Sequence, residues 1–261
     1  MQNVRLRPIA LPVEHGGWSF LFSPILLGLW IAPSLAGFWL SLAALGAFLL
    51  RQPLKLALSD RRRGKRYPRT QWAERFVALY GGATLIAFVA ACLRAQQAFW
   101  QPFLVAAPLA VVQLYYDARQ QSRTLLAEIC GASAMATLTA MLALLGGKTL
   151  SVALLLCLLL VLQAASALHY VTTRLTLARG QAAQRWPVYV VHLACLLIAV
   201  LFWLAQLSNW LPIALFGLLT LRSFIGLLEH SLATRTPIVG MQELAFSLTT
   251  VVLLRFAEVG L

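Results

Sequence analysis

The sequence predicts an all-α protein, a multi-pass transmembrane helix bundle of about nine helices, and three observations predict it. Of the 261 residues, 61% are Ala, Val, Ile, Leu, Met, Phe, Trp, Tyr or Cys and only 11% are Asp, Glu, Lys or Arg. The apolar residues gather into runs near the ~17–25 residues that a helix needs to cross hydrocarbon. When the gaps between runs are taken alternately, 18 of the 21 Lys and Arg fall on one side. In lipid a helix satisfies its own backbone, and the chain lacks the alternating ten-residue segments of a membrane barrel, so a helical bundle follows.

The spans justify themselves in turn. The first, Gly16 to Pro33, opens after Glu14-His15 with two glycines and Trp18, an aromatic suited to the membrane interface. The second, Leu35 to Leu50, is short and runs into a basic segment over 51–75, RQPLKLALSDRRRGKRYPRTQWAER, with nine cations against Asp60 and Glu74. Spans three and four are Phe76 to Leu93 and Phe99 to Tyr116, the latter carrying Pro102 and Pro108. Span five, Leu125 to Leu145, follows a polar link and carries Glu128 near its start. Span six, Leu150 to Tyr170, ends in Gln163, Ser166, His169 and Tyr170. Spans seven and eight are Pro187 to Leu207 and Asn209 to Leu228, the eighth interrupted by Arg222, and the ninth, Ile238 to Leu254, has Glu243 in its first turns.

Two cations precede span one, nine follow span two, two follow span four and three follow span six, while Arg222 and Arg235 mark the end of span eight. The opposite side has Arg94, Lys148 and Arg255. Cations resist outward transfer, so the amino terminus is expected inside and the carboxy terminus outside, which needs an odd number of spans. Residues 1–261 are read as one transmembrane domain, with 1–15 a cytoplasmic amino terminus and 51–75 a basic cytoplasmic loop. Cys92, Cys130, Cys157 and Cys195 lie within spans without a CxxC pair and read as small apolar residues, not metal ligands or disulfides. There is no Gly-x-Gly-x-x-Gly, Walker loop or His-Glu-x-x-His.

The polar residues in or beside the spans are the candidate site. Arg51, Lys55 and Ser59 recur every four residues, as if the second helix continued past the membrane with one basic face, able to grip phosphate or to snorkel toward headgroups. Asp60 follows; a lone acid among cations reads as a local salt-bridge partner, and as a Mg²⁺ ligand it would need further carboxylates. Glu14 and His15 pair a carboxylate with an imidazole at a helix start, suited to proton handling or to a flexible entry. Asp117 begins the link after span four, where Arg119 and Arg123 share a face. Glu128, inside an apolar helix, has to face the interior and find a cation or stay protonated. His169 joins a polar stripe on span six, Arg174 follows it, and Arg222 lies on the same membrane side as Glu243, which permits an ion pair. Seven of the eight acids share that side, as they would around an inward-opening polar cavity. The anion-binding set is therefore Arg51, Lys55, Arg119, Arg123, Arg174 and Arg222, with Glu128, Asp117 and Asp60 as candidate acid or metal residues.

The stretches EHGGWSFLFSPILLGL (14–29), RQPLKLALSDRRRGKRYPR (51–69), YYDARQQSRTLLAEICGA (115–132) and PIVGMQELAF (237–246) resemble the YwiC-like family of bacterial membrane proteins. The resemblance implies a multi-pass protein of the bacterial inner membrane, without an established reaction. Span count, loop parity and the basic loop also resemble the UbiA prenyltransferase superfamily, which binds an isoprenoid diphosphate through Mg²⁺. That superfamily's Asn-x-x-x-Asp-x-x-x-Asp is represented here by Gln52, Leu56 and Asp60, and its second acidic motif by HYVTTRLTLARG, with Arg174 where acids belong. A guanidinium holds no Mg²⁺ but suits phosphate. The ligand expected is thus an anionic amphiphile, an isoprenoid diphosphate or a phospholipid headgroup, and the other partner is the bilayer, with no nucleic acid. An enzyme of this kind would be a prenyl or lipid-phosphate transferase; an ion-coupled transporter using Glu128, Arg222 and His169, or a non-catalytic assembly subunit, are the alternatives.

Overall fold

A computed structural model describes residues 6–11, 15–65, 67–119, 121, 123–233 and 236–257; at 15, 16 and 118 it describes the backbone alone. The described residues are helical, with no strand among them. In order the helices are α1 (Arg7–Ala10), α2 (His15–Ile31), α3 (Leu35–Arg62), α4 (Pro68–Arg94), α5 (Gln101–Ala118), α6 (Leu125–Leu145), α7 (Leu150–Ala178), α8 (Trp186–Leu204), α9 (Leu211–Gly226), α10 (Glu229–Leu232) and α11 (Thr236–Arg255). Each expected span contains one helix. Six of them, α3, α4, α6, α7, α8 and α11, are by themselves long and apolar enough to cross a membrane. Helices α2 and α9 are apolar but shorter, and α5 occupies the fourth expected span. The protein is a multi-pass helical membrane protein.

Local chemistry sets the ends. Ser34 caps α3 by accepting the Gly37 N–H at 3.0 Å, and Thr149 caps α7 by accepting from Val152. At the other end of α3, Gly64 takes φ 64°, its N–H reaching the Arg61 carbonyl while Lys65 reaches Asp60. This paired closure needs a left-handed residue, which glycine adopts without strain.

Helix α3 does not stop at Leu50 as the apolar run does. It continues to Arg62, about 18 Å further at ~1.5 Å per residue, and α4 begins at Pro68, before its apolar stretch. The two pack along their length. Beyond the apolar part they enclose a small core of their own, Ile9 of α1 with Ala57 and Ala73, flanked by Leu56, Trp72 and Phe76. The basic segment 51–75 is therefore a helical hairpin rather than a loop.

The main core lies around α6, whose central residues are buried on most sides. Leu142, Leu156, Leu159, Leu215 and Leu219 are fully enclosed there. Helix α6 packs on α2, α5 and α7, and α11 closes the bundle against α2 and α9. A hydroxyl crosses this core where Thr139 donates to the Pro24 carbonyl at 3.2 Å. The faces turned away from the core are apolar: Leu79, Leu85, Ile86 and Leu93 on α4 and Leu193, Leu197 and Leu201 on α8 are exposed, as suits lipid contact. Cys130, Cys157 and Cys195 are buried as expected, but Cys92 is exposed on α4.

Candidate functional site

Charged side chains on α3, α4, α5, α7, α9 and α11 form three clusters at one end of the bundle. The first is at the α3–α4 turn. Asp60 is wholly buried and held by the Arg69 fork, Nη2 to Oδ1 at 2.8 Å and Nε to Oδ2 at 3.2 Å, with Thr70 Oγ1 donating at 2.7 Å. The Arg69 hydrogen bond outweighs burial and keeps the carboxyl below its ordinary range. Arg61 places its own Nε–Nη2 edge on Glu74. An open cleft of about 380 Å³ lies here, lined by Arg61, Gly64, Lys65, Thr70 and Glu74.

The second cluster joins α3 to α5. Arg51 puts Nε and Nη2 on Asp117 Oδ2 at 3.1 and 2.8 Å, and Lys55, one turn on, reaches Oδ1 at 3.1 Å. The basic face read from the sequence exists, and it grips a carboxylate of the protein itself. Partial burial works to raise the Asp117 carboxyl, but the Arg51 and Lys55 hydrogen bonds prevail and it titrates below its ordinary value. Nearby, Arg119 is exposed and lies over the Tyr115 ring at 4.4 Å. Arg123 is exposed, and Glu128 is half-buried in the first turn of α6.

The third cluster, between α7, α9 and α11, is the most enclosed. Tyr170, 1% exposed, is its hub. Arg174, one turn along α7, donates Nη1 to the Tyr170 hydroxyl at 2.6 Å and to Gln242 Oε1 at 3.3 Å, and Nη2 to the Ser231 carbonyl at 3.0 Å. Arg222 lies over the other side of the hub, 4.4 Å from the Tyr170 ring centre and 4.8 Å from that of Phe246. It forms the ion pair with Glu243 that their positions in the sequence suggested, but through Nη1 alone, at 2.8 and 3.1 Å to the two oxygens. Its Nε and Nη2 are buried and have no partner among the described residues.

The expected single gathering of six cations is thus divided. Arg51 and Lys55 meet on Asp117, Arg174 and Arg222 meet on Tyr170, and Arg119 and Arg123 are exposed at the surface. His169 is half-buried beside Tyr170, its Nδ1 3.0 Å from the Ala165 carbonyl. Glu14 lies outside the described residues, as does the His15 side chain. No three of His, Cys, Asp and Glu come together among the described residues. The oxygens of Asp60 and Asp117 are taken by Arg, Lys and Thr donors, so these carboxylates do not fit a Mg²⁺ site as they stand.

Sequence reasoning missed Gln242 and the Ser231 carbonyl as partners of Arg174. Tyr170 and Arg174 at i and i+4 were the available signal for the hub. The family model described as YwiC-like protein matches residues 11–143, just over half of the chain. No curated protein and no solved structure matches it.

Proposed function

This chain belongs to the YwiC-like family, and from that premise we propose that it binds the headgroup of an anionic amphiphile, an isoprenoid diphosphate or a phospholipid, at the junction of α7, α9 and α11. Arg222 is the principal clamp and Arg174 its neighbour. The observation that carries the reading is the free edge of Arg222. Arg51, Arg61 and Arg69 each put the Nε–Nη2 fork on a carboxylate. Arg222 leaves the same fork buried and unused. Buried N–H groups without acceptors cost about 1–3 kcal/mol each, and a paired oxyanion is the group that a guanidinium fork fits best. Gln242, bonded to Arg174, is exposed and so lies at the open edge of the junction.

The geometry supports binding more than a reaction. A prenyl or lipid-phosphate transfer would need an acid or metal residue among Glu128, Asp117 and Asp60, and the last two already serve internal ion pairs. The test is retention of dioleoyl phosphatidic acid and of farnesyl diphosphate by detergent-purified protein, followed by native mass spectrometry. Arg222→Lys keeps a cation for Glu243 and removes the fork; its affinity is expected to fall about tenfold or more. Retention of neither compound by the native chain, or equal retention by Arg222→Lys, would overturn the reading.

The orientation in this proposal puts the charged end in the cytoplasm and the chain in the bacterial inner membrane. In a Cys92→Ser background, Lys148→Cys is expected to react with an impermeant maleimide in intact spheroplasts, and Arg63→Cys only after lysis. The reverse pattern would invert the protein.

A further inference from the structure

We infer that the headgroup taken by the α7–α9–α11 junction is a terminal phosphate carrying a P–O–H, and that His192 reads that hydrogen. The inference rests on the anion site proposed above and adds a second buried, unpartnered group to it. His192 of α8 is 1% exposed. Its Nδ1 lies 2.8 Å from the Val188 carbonyl. A carbonyl only accepts, so Nδ1 carries the hydrogen, and in the neutral ring Nε2 is left as a lone-pair acceptor.

Nε2 is buried and has no donor among the described residues. The ring is anchored at Nδ1 to the backbone one turn back, so Nε2, on the ring's other side, faces away from that carbonyl. Val188, on the same face of α8, packs in one apolar cluster with Tyr170 and Leu227. Tyr189 of α8 stacks on Phe224 of α9 at 4.4 Å between ring centres, which sets His192, three residues on along α8, beside the part of α9 that carries Arg222. The junction therefore combines a buried two-donor fork from Arg222 with a buried acceptor from His192.

One ligand class answers both demands. Its oxygens must accept from the fork, and one further oxygen must donate to an imidazole. A phosphodiester with no hydroxyl meets the first demand alone, as does a carboxylate. A phosphate monoester or the terminal phosphate of a diphosphate meets both while it holds one proton, as it does below its second pKa of about 6. This favours isoprenoid phosphates and phosphatidic-acid-type lipids over diester phospholipids.

The test compares dioleoyl phosphatidic acid with dioleoyl phosphatidylmethanol, a diester of equal charge and equal chains without an O–H, bound to the native protein in micelles at about pH 5, below that second pKa. Phosphatidic acid is expected to bind about tenfold more tightly, the effect of one hydrogen bond to a charged group. His192→Leu should erase the preference by weakening phosphatidic acid alone, while His192→Gln, whose amide oxygen also accepts, should retain part of it. Equal binding of the two lipids, still lost in Arg222→Lys, would overturn the role of His192 and leave the anion site standing. Binding that ignores Arg222 altogether would remove the site itself. Inorganic phosphate separates two sources of the same chemistry: the lipid stays bound against equimolar phosphate if its chains belong to the ligand, and is displaced if the free ion is what the site takes. Either result, with the preference intact, supports the P–O–H assignment, and the second replaces the lipid by the free ion as its source.

Discussion

Glu243→Leu is expected to destabilise the protein by about 3–5 kcal/mol, because it strands the Arg222 guanidinium in the bundle without its counter-charge. The side chains of Arg222 and Glu243 are 7% and 17% exposed, so little solvent screening is available to the survivor. A surface pair is different: Arg61–Glu74, with Arg61 68% exposed, belongs to the class that contributes about 0–1 kcal/mol. The expectation is checked by thermal unfolding in detergent, followed through tryptophan fluorescence. Replacing both partners, Arg222→Met with Glu243→Leu, should recover most of the loss, since an apolar pair of similar volume avoids the desolvation penalty. A double variant as unstable as the single one would show that the cost comes from packing rather than from charge.

The second large effect is at Gly226. A Cβ there would fall on the Tyr170 hydroxyl and lie 2.7 and 2.9 Å from ring carbons Cζ and Cε2. Tyr170 has little room to yield, being almost fully enclosed and tied to Arg174 at 2.6 Å. Two terms compete. A glycine replaced in a helix by alanine gains about 1 kcal/mol in propensity, whereas forcing extra atoms into a packed core costs about 1–3 kcal/mol. With valine the propensity gain shrinks and the overlap grows, so Gly226→Val is expected to lower stability by about 3 kcal/mol. The partner change Tyr170→Phe removes the colliding hydroxyl. The double variant should therefore lose less than the two single losses added together, and strict additivity in unfolding measurements would refute the contact.

The fold was legible because lipid imposes one rule on every span. Leu125–Leu145 matches its apolar run to the residue, since polar links bound that run at both ends. The hairpin over 51–75 was legible only in part. Arg51, Lys55 and Ser59 showed a helical face and Asp60 a local salt bridge, but the tip of the hairpin depends on Asp60 finding Arg69 and Thr70 across the turn, and a run of cations does not say which of them it meets.

The site was less legible still. Spacing along one helix predicts a shared face, and it served for Arg51 with Lys55 and for Tyr170 with Arg174. Which partner meets that face is decided by packing between helices distant in sequence. Asp117 took two of the cations expected to hold a ligand, and so the proposed anion site rests on Arg222 and Arg174 rather than on six residues. His192 had no sequence signal beyond a lone imidazole in an apolar span, and such a group becomes informative only when its ring nitrogens are accounted for one by one.

The most direct measurement is a high-resolution map of the native chain in lipid nanodiscs containing phosphatidic acid, read at the Nε–Nη2 edge of Arg222. The account predicts phosphate density within hydrogen-bond distance of that edge, with Nη1 still on Glu243. A map in which Arg222 turns its fork onto a protein acceptor, with no phosphate density between α7, α9 and α11, would contradict it.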